Sequence, residues 1–331
     1  MSNPDLYRTA TLVVRHALDV KPGEAVAVVT DPGRSPRIAE AFMAALRAAG
    51  AEAVLLTMFV REGRKEPPDA VRAALERVTA IITPTTVSMT YSDTLLEARR
   101  RGARVMTMPL INEAIFGRAG AVDPEEIVTL TQALARRLAE ARTLHLTSSL
   151  GTDLRVRLGG HPPELIDGVC RNPGDYDQVP SGVASVLAAK TEGVLVADAS
   201  VSQVGTPTAP IRFEVADSRI TAIEGGAEAR LLRRILDEAD DPNVFHCAAE
   251  IGIGCNRWAR HVPSNEFSME GVRAHGWVHV GFGDDHTLPG GTIRARMHND
   301  ALLSDCRLTA DGVVLADGGR LVVDSLGLPR A

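Results

Sequence analysis

Residues 277–300 read WVHVGFGDDHTLPGGTIRARMHND and hold His279, His286, His298 and Asp300. Six of the nine histidines of the chain fall between positions 246 and 298. Imidazoles and carboxylates at this density, in a chain otherwise rich in Ala, Val and Leu, are the side chains of a metal centre or an acid–base site. His298 and Asp300 stand two apart. The alternation of Ile293, Ala295 and Met297 with Arg294, Arg296 and His298 predicts a strand over 294–302, on which residues two apart project from one face. The strand-like run before it puts Trp277, His279 and Gly281 on a shared face, so His279 looks into the same space. Glu250, in HCAAEIGIGCN, is a fourth candidate, because Gly252 and Gly254 let backbone pass close to whatever its carboxylate holds. Two imidazoles and two carboxylates suit one divalent ion, Zn(II), Mn(II) or Fe(II). A lone H-x-D is more often a surface pair or a hydrogen-bonded histidine; the convergence of three segments is what favours an ion.

The elements that must position these groups follow from the apolar periodicity. Residues 5–20 have helical spacing. They are followed by strand-like EAVAVV (24–29), a helix in PRIAEAFMAALRAAGA, strand-like VLLTMF (54–59), a helix near 68–76, the strand VTAIITPTT, the helix SDTLLEARRRG and the strand ARVMTMP. That alternation predicts an open, mostly parallel α/β sheet. Its first strand–helix loop, TDPGRSP, has one glycine. Neither G-x-G-x-x-G nor G-x-x-x-x-G-K-[ST] occurs, so the domain is Rossmann-like without a nucleotide motif, and Asp31 and Ser35 read as turn and N-cap residues. A long helix over 124–141 closes this part. Beyond it, short strands punctuated by Gly, Pro, Asn and Asp predict an antiparallel β-rich, partly barrel-like domain that carries the metal site, interrupted by one helix at 227–240. The expected division is 1–145 and 146–331.

Composition bounds the partners. The 331 residues leave room for two domains, and 45% hydrophobic with 24% charged residues is the balance of a globular protein. A net charge of −6 and 4% aromatic residues, with no basic run, argue against nucleic acid. No apolar run approaches the ~20 residues of a membrane-spanning helix, and the first twenty residues read as a helix rather than an export signal, so the cytoplasm is expected. The four cysteines, 170, 247, 255 and 306, have no C-x-x-C spacing. Cys247 and Cys255 bracket Glu250, and buried free thiols are the commoner reading of such residues.

With these motifs in hand, the chain resembles the M29 aminopeptidase T and S superfamily. Glu250 in AEIGIGCN, His279 in VHVGFG and His298-Asn299-Asp300 follow that family's E-x-G-I-G-x-N, H-x-A-x-G and H-x-D order. The resemblance implies an α/β N-terminal domain, a β-rich metal domain and hydrolysis of an amide next to a free amino terminus. It departs where the peptidases carry a further metal-binding Glu, since Val183 and Ala184 stand there, so one ion is implied rather than two. It departs again where they carry a catalytic Tyr, since His286 stands there and would serve as acid or base. NPGDYDQVPSG and HNDALLSDCRLTADG resemble the 2,5-dihydroxypyridine dioxygenase branch of the same superfamily, which uses Fe(II) held by two histidines and one aspartate. Its first histidine falls at Glu250.

An added carboxylate together with His279 weighs toward a redox-silent Lewis acid. The expected function is therefore a metal-dependent amidase or aminopeptidase-like hydrolase acting on a small amide, cyclic ones included, with Glu250, His279, His298 and Asp300 as ligands. Glu250 and His286 are the catalytic candidates, with Asp284 or Asp285 as lesser proton carriers. Asp175, Asp177 and Ser181 are the substrate-binding candidates, although N-P-G-D is also ordinary turn composition. The alternatives are a non-haem Fe(II) ring-cleaving dioxygenase acting on a hydroxylated pyridine or related N-heterocycle, and a non-catalytic protein with a structural ion. Both enzyme branches imply a homodimer or larger homo-oligomer.

Overall fold

The computed structural model describes residues 4–60, 65–119, 122–247 and 250–328. The chain divides into two compact units, one formed by Met1–Val128 and Ile166–Ser181, the other by Thr129–Leu165 and Gly182–Ala331.

In the first unit five parallel strands form one sheet, in the order Glu52–Thr57, Ala25–Thr30, Ala80–Thr83, Arg104–Thr107, Tyr176–Gln178. Helices Pro36–Ala48, Asp69–Leu75 and Asp93–Arg100 alternate with the first four strands. Successive residues of the first strand serve opposite faces. Val26 and Val28 pack with Ile38 and Phe42, whereas Ala27 and Val29 pack with Val71, Leu75 and Leu95. A sheet covered on both sides needs such an unbroken apolar run, and here it is fully buried. Ser35 caps its helix by accepting from the Arg37 amide, as the sequence suggests, and Asp31 accepts from the amides of Gly33 and Thr86.

The fifth strand corrects the expected single boundary. Residues 166–181 return to the first unit, where Val105, Met106 and Thr107 pair with Tyr176, Asp177 and Gln178. A three-residue edge strand is too short for alternation to announce it.

The second unit is antiparallel, as expected. An eight-stranded sheet runs in the order Arg219–Glu224, Ile211–Ala216, Ala188–Ala197, Asp153–Leu158, Thr143–Thr147, Arg307–Ala310, Val313–Asp317, Arg320–Leu321. A six-stranded sheet runs Ser200–Val201, His298–Leu303, Val278–Gly283, Glu250–Gly254, Val183–Val186, Glu164–Ile166. Their apolar residues share one core, in which Phe213 of the first sheet meets Phe282 of the second with ring centroids 5.9 Å apart. Ile251, Ile253, Val278, Val280, Phe282, Ala301 and Leu303 all point into that core. The alternate residues of the same three strands, Glu250, His279, His298 and Asp300 among them, therefore occupy the other face.

The strand expected over 294–302 begins only at His298. Before it, backbone groups of residues 294–296 are taken by side chains instead of a strand partner. Asn243 donates to the Arg294 carbonyl, and the amides of Ala295 and Arg296 donate to Asp284 and Asp241. Polar capture by side chains distant in sequence outcompetes a ladder here despite the alternation.

Among the described residues, no helix is long and apolar enough to cross a membrane.

Candidate metal centre

Register places the candidate ligands in one row. Glu250 pairs with Gly281, and Gly281 pairs with Asp300 on its other side. His298 stands two residues before Asp300, and His279 two before Gly281, on the same face. The middle position of the row has no side chain. A Cβ built on Gly281 would lie 2.7 Å from Glu250 Cγ and 3.3 Å from His298 Cε1. Glycine thus leaves the hollow over which the flanking side chains lean toward each other.

His298 Nε2 lies 3.4 Å from Glu250 Oε1 and 3.3 Å from Asp300 Oδ1. Ligand atoms of Glu250, His298 and Asp300 all fall within 4.8 Å of one another. The other ring nitrogen, Nδ1, is 2.6 Å from the Asp284 carbonyl oxygen. A carbonyl only accepts, so Nδ1 carries the hydrogen and Nε2 turns its lone pair toward two carboxylates. That arrangement is repulsive unless a positive charge sits on or beside Nε2. Burial opposes a charge on His298, yet Asp300 and Glu250 outweigh it and raise its pKa well above the usual histidine value. Burial likewise works against an ionised Glu250, and the hydrogen bonds and charges of His279 and His298 overcome it and hold the carboxyl far below its ordinary range.

The donor set fits a divalent cation. Asp300 Oδ1 is buried with no hydrogen bond to satisfy it, an orphan beside two other ligand atoms. Two carboxylates and one imidazole form a hard to borderline set suited to first-row dications. Asp300 is itself held in place, its amide donating to Ser202 Oγ at 2.9 Å.

His279 is close but differently placed. Its Nε2 is 3.2 Å from Glu250 Oε1, and the residue is buried. It does not belong to the group of three, which holds Glu250, His298 and Asp300. His286 Nδ1 donates to Asp284 Oδ1 at 2.5 Å. Asp284 therefore serves both histidines, one by its carbonyl and one by its carboxylate. Composition alone marked Asp284 only as a lesser proton carrier, because a contact made through a carbonyl leaves no trace in residue type.

The three substrate-binding candidates lie in the first unit. Asp177 is buried, and its carboxylate accepts from the amides of Asp167, Gly168 and Gln178. Asp175 accepts from the amides of Arg171 and Asn172, a turn of the kind its N-P-G-D context suggests. Ser181 Oγ sits against Gly168, where a Cβ would lie 3.1 Å from it. Cys247 and Cys255 are buried, burial pushes the Cys247 thiol up to about 12, and Cys255 Sγ lies 3.0 Å from Thr131 Oγ1.

Comparison with known proteins places this geometry. The family described as NicX: 2,5-dihydroxypyridine 5,6-dioxygenase matches residues 14–323. A 2,5-dihydroxypyridine 5,6-dioxygenase of Pseudomonas putida strain KT2440 is 27% identical over 265 residues, covering 75% of this chain and 72% of that one. The solved 2,5-dihydroxypyridine dioxygenase of P. putida KT2440 superimposes with a TM-score of 0.81 at 22% identity, over 97% of this chain and 98% of that one. AmpT from Thermus thermophilus does so with a TM-score of 0.67 at 16% identity, over 96% and 99%. The fold is thus shared with both branches that the sequence resembles.

These findings overturn the expected hydrolase, since the matching family and the curated relative are both dioxygenases. That expectation counted His279 as a ligand closing a coordination position. In the structure the His279 Nε2 lies 3.2 Å from Glu250 Oε1, and ligand atoms of Glu250, His298 and Asp300 lie within 4.8 Å of one another. From residue 14 to residue 323, the chain belongs to the 2,5-dihydroxypyridine 5,6-dioxygenase family.

Proposed function

We propose that this protein is a ring-cleaving dioxygenase acting on a hydroxylated pyridine or a closely related N-heterocycle, with one divalent metal ion, Fe(II), held by Glu250, His298 and Asp300. The observation that carries the reading is the gathering of those three ligand atoms on one face of the six-stranded sheet, in a chain of this family.

When bound, Fe(II) supplies the one-electron chemistry that lets ground-state oxygen react with an electron-rich ring. Everything else falls to the chain. Glu250 and Asp300 contribute two negative charges, which balance a dication at a buried position. His298, fixed by the Asp284 carbonyl, offers a neutral Nε2 lone pair without needing to reorient. Glu250 on one strand and His298 with Asp300 on another, flanking the strand of Gly281, would hold the ion on one face of the sheet. Rigid strands keep those three side chains in place, because the core side chains beneath them are fully buried. His286 keeps its Nδ1 hydrogen on Asp284, which makes Nε2 its exchanging nitrogen and suits it to move a proton from a ring hydroxyl. In the overall reaction the ring and one molecule of oxygen combine, a carbon–carbon bond breaks and both oxygen atoms enter the product.

The test is mass spectrometry after incubating the Fe(II)-loaded protein with 2,5-dihydroxypyridine under isotopically labelled oxygen. A product heavier by two labelled oxygen atoms is expected. Consumption that proceeds equally without oxygen refutes the reading.

A further inference from the structure

The two histidines nearest Glu250 differ in what their second nitrogen meets. His298 passes its Nδ1 hydrogen to the Asp284 carbonyl at 2.6 Å. His279 has nothing to match this, since its Nδ1 is buried without a hydrogen-bond partner. Were His279 to ligate through Nε2, its hydrogen would reside on Nδ1, an N–H shut away from water with no acceptor. Orphaned buried N–H groups are among the rarest features of folded proteins, and metal-bound histidines as a rule hand that hydrogen to a carbonyl or carboxylate. With the hydrogen on Nε2 instead, the 3.2 Å approach to Glu250 Oε1 becomes a charge-assisted hydrogen bond. Only an acceptor lone pair is then left unpaired, which proteins tolerate better.

Packing supports the same assignment. His279 pairs in register with Gly252, and a Cβ on Gly252 would lie 2.0 Å from His279 Cε1. The ring therefore rests on bare backbone beside Glu250, and it is outside the set whose ligand atoms converge.

We infer that His279 is a positioning residue and not a metal ligand: its Nε2–H holds Glu250 Oε1, so that Glu250, His298 and Asp300 alone carry the ion. The inference rests on the metal reading of the proposed function. A dication with two carboxylates and one neutral imidazole has no net charge, since +2 − 1 − 1 = 0. A set of two histidines and one carboxylate would leave a charge of +1.

The test loads wild-type protein, His279→Gln, His279→Leu and His298→Gln with Co(II). It records the visible spectrum, the stoichiometry and the dissociation constant against a chelator. Melting of each metal-free protein reports folding. Glutamine keeps an N–H donor near the Nε2 position without a ring nitrogen. The expected result is one Co(II) per chain with an unchanged spectrum in His279→Gln. His279→Leu should keep the spectrum and bind roughly 10- to 100-fold more weakly, while His298→Gln loses the ion. A changed spectrum in His279→Gln, or a loss of Co(II) equal to that in His298→Gln, makes His279 a ligand and overturns the inference. If wild-type protein takes up no Co(II), the metal reading itself fails along with it, which the His279 variants alone would not show.

Discussion

The Asp284 carbonyl oxygen takes the Nδ1 hydrogen of His298 at 2.6 Å, and this bond decides which nitrogen of the ring faces Glu250 and Asp300. The ring cannot retreat without giving the bond up. The centre is therefore sensitive to anything that pushes on His298 from the strand beside it.

Gly281→Ala applies that push. The added Cβ would stand 2.7 Å from Glu250 Cγ and 3.3 Å from His298 Cε1, with both side chains already committed. Overpacking at a buried position costs about 1–3 kcal/mol, and metal affinity should fall by at least roughly tenfold, as when a supporting contact of a metal site is lost. Urea unfolding and chelator competition measure the two effects. Unchanged affinity would mean that the hollow over Gly281 is not where the ion sits.

Asp284→Ala separates the carboxylate of this residue from its carbonyl. The variant keeps the carbonyl bond to His298 but removes the acceptor of the His286 Nδ1 hydrogen and of the Ala295 amide. Stability should drop by about 1–3 kcal/mol for the buried donors left unpaired, turnover should fall, and one metal ion per chain should remain. Loss of the ion in this variant would assign the carboxylate a direct part in binding it.

How far the sequence reveals these relations depends on their range. Alternation in VHVGFG and in EIGIG places His279 and Glu250 on the outer face of their strands, because the facing valines and isoleucines must enter the core. The two-residue spacing of His298 and Asp300 works the same way. Periodicity cannot show that 292–297 is a loop, since Asn243, Asp241 and Asp284 capture its backbone from a distance. Nor does it show that Tyr176–Gln178 joins the parallel sheet. The lean of the sequence toward hydrolysis, which the family match overturns, has a related origin. His279 enters a ligand set by its presence alone, whereas the positioning role inferred for it rests on the environment of its Nδ1, which residue type does not announce.

Stability should also weaken in mild acid. His246, His261 and His275 are each partly buried, and burial lowers all three below the usual histidine value. A lowered histidine is held neutral by the fold, so its contribution is complete above the unfolded value of about 6.5 and is lost as pH falls from there through the folded value. In metal-free His298→Gln, which removes the histidine whose pKa is raised, the urea midpoint should fall between pH 7 and pH 5, and adding His246→Asn should flatten that slope. A midpoint that climbs over the same interval would show that the fold favours these histidines charged.

The most direct check on oxygen-dependent ring opening at Glu250, His298 and Asp300 is oxygen uptake by Fe(II)-loaded protein given 2,5-dihydroxypyridine, compared between wild type and Asp300→Asn. The account predicts one oxygen molecule consumed per ring opened in the wild type, and a rate lower by at least roughly a hundredfold in a variant that folds normally, the order of loss expected when a group central to the chemistry is removed. Uptake that is unaltered in Asp300→Asn, or absent from metal-bearing wild-type protein with every hydroxylated pyridine offered, would contradict it.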